Sequence, residues 1–372
     1  MIQLFLIGGL IVLLFWLQMK IYILFWNKNL TVSLQFQSSD MFEGDTGCLR
    51  EVIVNDKRIP LPLFNVKFRT NRSLVFTDSD LSQKTDQYYR NDVFRIGKRE
   101  KITRNLTFIA KKRGYFHIEG VDLVANDLFM YASIMDTVEM DEEIYVYPKP
   151  FYSKEFLRSL QMVNGMMQTK RQFLEDPFEY RGMREYQPYD DMKSINWKAT
   201  AKTGELKVNL HDFTAVKSVR IFMDFEDTGI IKKEDCAEVC IQIAAGISRF
   251  FVGKGMKISC FGNCRDFQTS QLLQIEETGN LQEIYRALAR IDLSKEMPAF
   301  HKLYENRIFT KMQGEYTFIV SVNAYEDFVQ LMQRYDMVSQ DFLWFYTVKN
   351  REFPEIPTKL QKAAKPININ QI

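Results

Sequence analysis

Apolar side chains are continuous at the start of the chain and periodic afterwards. Met1 to Met19 carries no charged side chain, and Leu4 to Leu17 is almost wholly apolar. About 20 helical residues cross a hydrocarbon core, so residues 1–26 are expected to form a transmembrane anchor. Lys20 interrupts the run, and Ile21 to Trp26 is too short for a second span. A cleaved signal peptide would have a positive start, a shorter apolar stretch and a small-residue cleavage site, and none is present. Lys20 and Lys28 follow the span, which places the body in the cytoplasm by the positive-inside rule. Were the body outside a eukaryotic host cell, Asn29, Asn71 and Asn105 would head glycosylation sequons.

From residue 27 to 150 the apolar positions alternate. Leu30, Val32, Leu34 and Phe36 share one face of a strand, as do Phe64, Val66 and Phe68, and Phe116 to Val121 more loosely. Gly44, Asn55-Asp56 and Gly114 punctuate these runs, so an antiparallel β-sandwich is expected. Residues 151–212 read as a connecting segment. From 213 to 350 the pattern changes again. Strands at Val219–Asp224, Met256–Phe261, Tyr316–Ser321 and Phe342–Val348 alternate with helices at Lys233–Phe251, Leu281–Ile291 and Tyr325–Tyr335. That order predicts an α/β domain, a parallel sheet covered on both faces. Residues 351–372 are polar and Pro-punctuated, and are expected to be a flexible tail.

The 372 residues include 49 Lys and Arg against 47 Asp and Glu, a net charge of +2. Such balance makes no bulk electrostatic claim on nucleic acid. Charge is nevertheless segregated: Arg95 to Arg113 holds eight bases and one acid, and Glu119 to Glu143 holds eight acids and no base. Neighbouring strands with attracting solvated faces would explain this. A basic face against anionic headgroups is the sharper alternative. Five Cys are too few for a disulfide scaffold and point to reduced thiols. Cys236 and Cys240, and Cys260 and Cys264, have a spacing that zinc permits, but the first pair lies on the apolar helical stripe and reads as core. There is no phosphate-binding loop, nucleophile elbow or H-E-x-x-H motif, and the three His (117, 211 and 301) are dispersed. An enzyme is therefore not expected.

The densest signal runs from Phe178 to Leu206. It contains Arg184, Tyr186, Pro188, Asp190, Asp191, Ile195, Trp197, Lys198, Lys202 and Gly204 in order. Arg181 and Arg184 are expected to pair with Asp190 and Asp191. Pro188 holds Gln187 extended, and Trp197 presents a large apolar face. Eight bases and eight acids between Lys170 and Asp212 suit an internally satisfied staple. A partner-docking face is the alternative, since Arg and Trp are favoured anchors. A hydrolase using Glu185, Asp190 and Asp191 is disfavoured, because carboxylates beside arginines stay ionised in pairs.

This segment resembles the signature of the bacterial family called domain of unknown function 58. The departures are the opening spacing Tyr180-Arg181-Gly182, Tyr189 for Gly, Asn196 for Asp and Lys202 for Arg. Lys112 to Phe116, Asn126 to Phe129 and Val146 to Pro148 extend the likeness upstream. The resemblance implies a von Willebrand factor type A-like fold after residue 213. It also implies a MoxR-type AAA+ ATPase as partner in maturing or assembling other proteins, with the membrane reached through the N-terminal helix. Docking would then fall to Arg184, Tyr186, Pro188, Asp190, Asp191, Trp197, Lys198 and Lys202. Type A domains often hold Mg²⁺ through D-x-S-x-S. Here Asp224 and Thr228 match, Glu226 replaces the first Ser, and Ser321-Val322-Asn323 offers no late Asp. No cofactor is expected, with Mg²⁺ at Asp224, Glu226 and Thr228 the open alternative. An extracellular adhesion protein using that degenerate site is the second functional expectation.

Overall fold

The computed structural model describes residues 2–77, 87–127, 129–173, 180–211, 218–226, 234–310, 315–322, 324–338, 341–349 and 355–371. Two compact units divide between Lys149 and Pro150.

The first unit opens with α1 (Ile2–Phe25), which is long and apolar enough to cross a membrane, a property that signal sequences share. Among the described residues nine strands follow: β1 (Leu30–Phe36), β2 (Asp40–Phe42), β3 (Thr46–Asn55), β4 (Leu61–Asn71), β5 (Leu74–Phe76), β6 (Gln87–Ile96), β7 (Glu100–Ala110), β8 (Gly114–Asn126) and β9 (Ser133–Tyr147). They make a four-stranded sheet in the order β1-β3-β7-β5 and a five-stranded sheet in the order β2-β9-β8-β4-β6. All pairings are antiparallel except β2 with β9. The period-2 pattern works as expected: Val32, Leu34 and Phe36 are buried, and Thr31, Ser33 and Gln35 face water. Both sheets contribute to one apolar cluster, which also takes in Tyr22 and Trp26.

The expected pairing of basic with acidic strands is not what forms. Basic β7 lies between β3 and β5, while the acids of β8 and β9 lie in the other sheet, across from one another. One ionic group joins the sheets instead. Glu51 on β3 sits opposite Arg104 on β7 and meets it at 2.9 Å. Arg104 also reaches Asp92 on β6 at 2.5 Å, and Asp92 meets Arg90 at 2.6 Å. Burial pushes the Glu51 carboxyl up to about 7, against the opposing pull of Arg104.

The second unit contains α2 (Lys154–Phe173), then β10 (Tyr180–Glu185), α3 (Trp197–Thr203) and β11 (Lys207–His211). After them come β12 (Ser218–Asp224), α4 (Glu234–Val252), β13 (Lys257–Asp266), β14 (Leu272–Thr278), α5 (Leu281–Ala289) and β15 (Ile291–Asp292). The chain ends with α6 (Phe300–Phe309), β16 (Tyr316–Ser321), α7 (Glu326–Val338), β17 (Phe342–Val348) and β18 (Ala364–Asn368). The main sheet runs β14-β13-β12-β16-β17-β18, with β15 on β13. Its five central and C-terminal strands are parallel, and β14 is antiparallel.

Every residue of β12, β16 and β17 is buried, as a sheet covered on both faces requires, the polar Arg220 and Asp224 of β12 included. On one face Phe318 and Phe345 take Phe251 of α4 and Phe156 of α2. On the other, Phe222, Ile319 and Trp344 cluster with Phe300, Tyr304, Phe328 and Tyr335 of α6 and α7. The approach of α4 needs glycine at 246, because a Cβ there would stand 2.9 Å from the Phe151 carbonyl oxygen.

The tail expected to be loose is partly structural. β18 extends the sheet along β17, with Leu360 and Ala364 buried against it. Pro366 is tolerated because an edge strand can spare an N–H. The polar composition reflects an edge with one wet side, not disorder.

The four paired-looking cysteines (236, 240, 260, 264) form no disulfide and are buried. Burial pushes Cys260 up to about 12 and raises Cys240 further from its thiolate, which opposes metal ligation.

Candidate functional site

The signature segment folds into a small antiparallel ribbon with one helix. β10 and β11 pair from Glu185–Lys207 to Tyr180–His211 with one irregularity. The connection between them is held almost wholly by its own polar groups. Arg184 donates two bonds of 2.6 Å to the two Asp190 oxygens. The Gln187 amide donates to Asp190 at 2.8 Å, closing the turn around Pro188. These bonds, that of Arg184 foremost, hold the Asp190 carboxyl below its ordinary range. The Arg181 side chain, expected to share in these pairs, lies outside the described residues, and Arg184 bonds to Asp190 and not to Asp191. Asp191 caps a 3-10 turn at Met192–Ser194, accepting from the Lys193 amide at 3.1 Å. Its backbone has already turned away from Arg184, and a short carboxylate satisfies the nearest free N–H.

Asn196, one of the departures from the family pattern, is the N-cap of α3. Its Oδ1 accepts from the Ala199 amide at 2.9 Å and its Nδ2 donates to Asn209 at 2.8 Å. Asn is as good a cap as the Asp it replaces. Gly204 closes the helix at φ 74°, where only glycine sits without strain. Glu185 pairs with Lys207 at 3.4 Å. The Tyr186 amide donates to the Leu206 carbonyl at 2.9 Å, and Pro188 is exposed.

What this frame displays is mostly apolar and basic. Trp197 is 63% exposed, Tyr189 80% and Met192 67%. Lys193, Lys198 and Lys202 are also exposed, and the last two lie one helical turn apart on α3. Arg184 thus serves the frame, and Trp197, Lys198 and Lys202 form the displayed set. Replacing Arg184 by alanine is expected to free the turn. Amide exchange over residues 186–195 should rise many-fold while β12 and β16 keep their protection. An unchanged exchange pattern would show that the pair is dispensable. Lysine should restore little, because it lacks the two-pronged geometry.

The second candidate lies at the carboxyl end of β12. Asp224 is completely buried. Its Oδ1 accepts from the Glu226 amide at 2.9 Å and from Asn263 Nδ2 at 3.0 Å, while Oδ2 has no hydrogen-bond partner among the described residues. Burial, and then the charge of Glu226, push its carboxyl up to about 8. The Glu226 carboxylate turns elsewhere, accepting from the Tyr325 hydroxyl at 2.7 Å and the Phe300 amide at 3.2 Å. Burial and the two carboxylates raise the Tyr325 phenol far above its usual range. Thr228, the third expected ligand, lies outside the described residues, as does Asn323.

Mg²⁺ requires several oxygens free to coordinate it. Here Asp224 and Glu226 face hydrogen-bond donors, and no cluster of three potential ligands occurs among the described residues. Asn263, Tyr325 and the Phe300 amide escape a reading of the sequence because their roles follow from the approach of β13, α6 and α7.

No protein-family model matches the chain, and no curated protein matches it. Among solved structures, 31% of the chain is similar to 99% of a chain from a CaDoc0917–CaCohA2 complex, with 16% identity and a TM-score of 0.22. Another 43% is similar to 58% of the sporulation control protein Spo0M from Bacillus subtilis, with 11% identity and a TM-score of 0.18. A third likeness relates 34% of the chain to 94% of AvmM, which catalyses macrocyclization in alchivemycin A biosynthesis, with 11% identity and a TM-score of 0.22. Likenesses this slight assign neither a fold family nor a function.

Proposed function

We propose that this chain is a membrane-anchored interaction protein and not an enzyme, a divergent relative of the domain of unknown function 58 family. It would work with a MoxR-type AAA+ ATPase in protein maturation or assembly, from the cytoplasmic face. In that reading the first unit is a β-sandwich and the main sheet of the second is type A-like. The observation that carries the proposal is the signature segment. Arg184 and Asp190 are spent on holding its shape, yet it leaves Trp197, Tyr189 and Met192 in water together with three exposed lysines. Exposed aromatics on a rigid frame cost little entropy to dock and are the usual anchors of an interface.

The test is a mild-detergent pulldown of the full-length protein from its native membranes, beside a Trp197→Ala, Lys198→Glu variant that leaves Arg184 and Asp190 intact. Recovery of an AAA+ ATPase with the wild type, and its loss with the variant, is the expected result. Enrichment of extracytoplasmic proteins instead would overturn the orientation and favour adhesion. Retention of the ATPase by the variant would remove the signature segment from the interface.

A further inference from the structure

The N-terminal helix and the β8–β9 hairpin share a border that has no role in the function proposed above. Positions Phe15, Gln18, Met19, Tyr22 and Trp26 are buried or half-buried, and the positions between them are exposed. They fall on one helical stripe, so the second half of α1 lies along the first unit. Residues Leu6 to Leu14, by contrast, are exposed all round.

The hairpin tip meets α1 at its middle. Phe129 and Tyr131 stand 5.5 and 5.7 Å from the Phe15 ring. Despite that contact, Phe129 is 61% exposed, Met130 58% and Tyr131 77%. Three consecutive large apolar side chains in water at a loop tip are uncommon on a soluble surface. The loop is built to hold them outward. Buried Asp127 accepts from the amides of Tyr131 and Ala132 at 2.7 and 2.9 Å and from Gln18 Nε2 at 2.7 Å. Its carboxylate is thus satisfied from inside and faces no lipid.

The level of this tip follows from helix geometry. Lys20 is the first charged side chain of α1, and its ammonium lies 5.5 Å from the Trp16 ring centroid. A lysine beside a tryptophan on an apolar helix marks the headgroup level. Phe15 is five residues deeper, or about 7.5 Å at the rise of an α-helix. Interfacial apolar faces reach about 5–10 Å below the headgroups. The uncharged stretch Ile2 to Met19 would span about 27 Å, close to the thickness of a hydrocarbon core.

We propose that Phe129, Met130 and Tyr131 insert into the lipid interface beside α1, giving the first unit a second membrane contact that fixes its orientation against the bilayer. This rests on α1 being the membrane anchor. The occupant is lipid because the tip is continuous with a helix whose free half, Leu6 to Leu14, has no apolar cover among the described residues.

Single cysteines at Phe129, Tyr131, Leu10 and Glu119, in a Cys48→Ser background, would carry an environment-sensitive fluorophore on the full-length protein. Folding of each would be checked by its melting curve. The protein is reconstituted in vesicles of phosphatidylcholine and phosphatidylglycerol containing nitroxide lipids. Labels at 129 and 131 are expected to be quenched several-fold more by a shallow acyl nitroxide than the label at 119, and to resist aqueous iodide. The label at 10 is expected to respond to a deep nitroxide. If 10 is lipid-buried but 129 and 131 are reached by iodide, the insertion is refuted while the anchor stands. If 129 and 131 are shielded from both quenchers, a protein covers the tip and the lipid assignment fails. If 10 is itself water-accessible, the anchor reading falls and takes the insertion with it.

Discussion

Replacing Arg220 by alanine is expected to destabilise the second unit by about 3–5 kcal/mol, the usual cost of leaving one partner of a buried ion pair behind. Arg220 lies on β12 in the middle of the main sheet and is 5% exposed. It contacts Glu315 at 3.2 Å. It also donates to the carbonyls of Arg307 and Thr310 at 3.1 and 2.7 Å and to Thr317 Oγ1 at 3.1 Å. One side chain therefore holds the C-terminal end of α6 to the start of β16. Alanine removes these donors at once and leaves carbonyls that face the interior. The readout is the urea midpoint, with amide exchange of β12 and β16 to localise the loss. A change below about 1 kcal/mol would place the pair among exposed ion pairs and contradict its burial. A double variant, Arg220→Met with Glu315→Leu, should recover much of the stability, since the charge left unpaired is then gone.

The second large effect is a pH dependence. Asp224 is held protonated up to about pH 8, whereas an unfolded aspartate loses its proton near 3.8. Between those values the folded state binds a proton that the unfolded state releases. Stability attributable to this group is therefore complete below the unfolded value and is lost as pH rises through about 8. Each tenfold change in proton affinity between the two states is worth about 1.4 kcal/mol, so the loss is on the order of several kcal/mol. Asp224→Asn keeps an acceptor for the Glu226 amide and Asn263 but cannot ionise. Unfolding midpoints of wild type and variant, compared at about pH 5 and about pH 9, are expected to diverge at the alkaline end, with the variant the more stable. Glu51, with its carboxyl at about 7, titrates in the other unit and contributes equally to both proteins, so the difference isolates Asp224. Parallel profiles would mean that water or relaxation already accommodates the charge.

Much of the architecture is legible in the chain because each strand or helix obeys one period. The strand expected at Phe342–Val348 coincides with β17, and that at Tyr316–Ser321 with β16. Both are short, mainly apolar runs rich in aromatic and β-branched residues. Helices α4, α5 and α7 lie within a few residues of their expected positions, since a 3.6-residue stripe survives any tertiary context. Helix α2 is not among the expected helices: its apolar positions are interleaved with Arg158, Gln161, Asn164 and Gly165, and among the described side chains Phe156, Leu160 and Val163 are buried. Helix α6 escapes for a similar reason. Neither declares itself until a sheet face stands beside it.

The candidate sites divide along the same line. Local chemistry settles the apolar N-terminal helix, the Arg184–Asp190 clasp and the turn at Pro188, because their determinants lie within a few residues of one another. Asp191 as a cap, β18 as an edge strand, the enclosure of Asp224 by Asn263 and the meeting of Phe15 with Phe129 are not so determined. Those pairs are 39 and 114 residues apart for the last two, and a contact at such separation depends on how sheets and helices pack. Periodicity and short spacing encode what a segment becomes; burial and the neutralisation of a carboxyl are properties of the assembled interior.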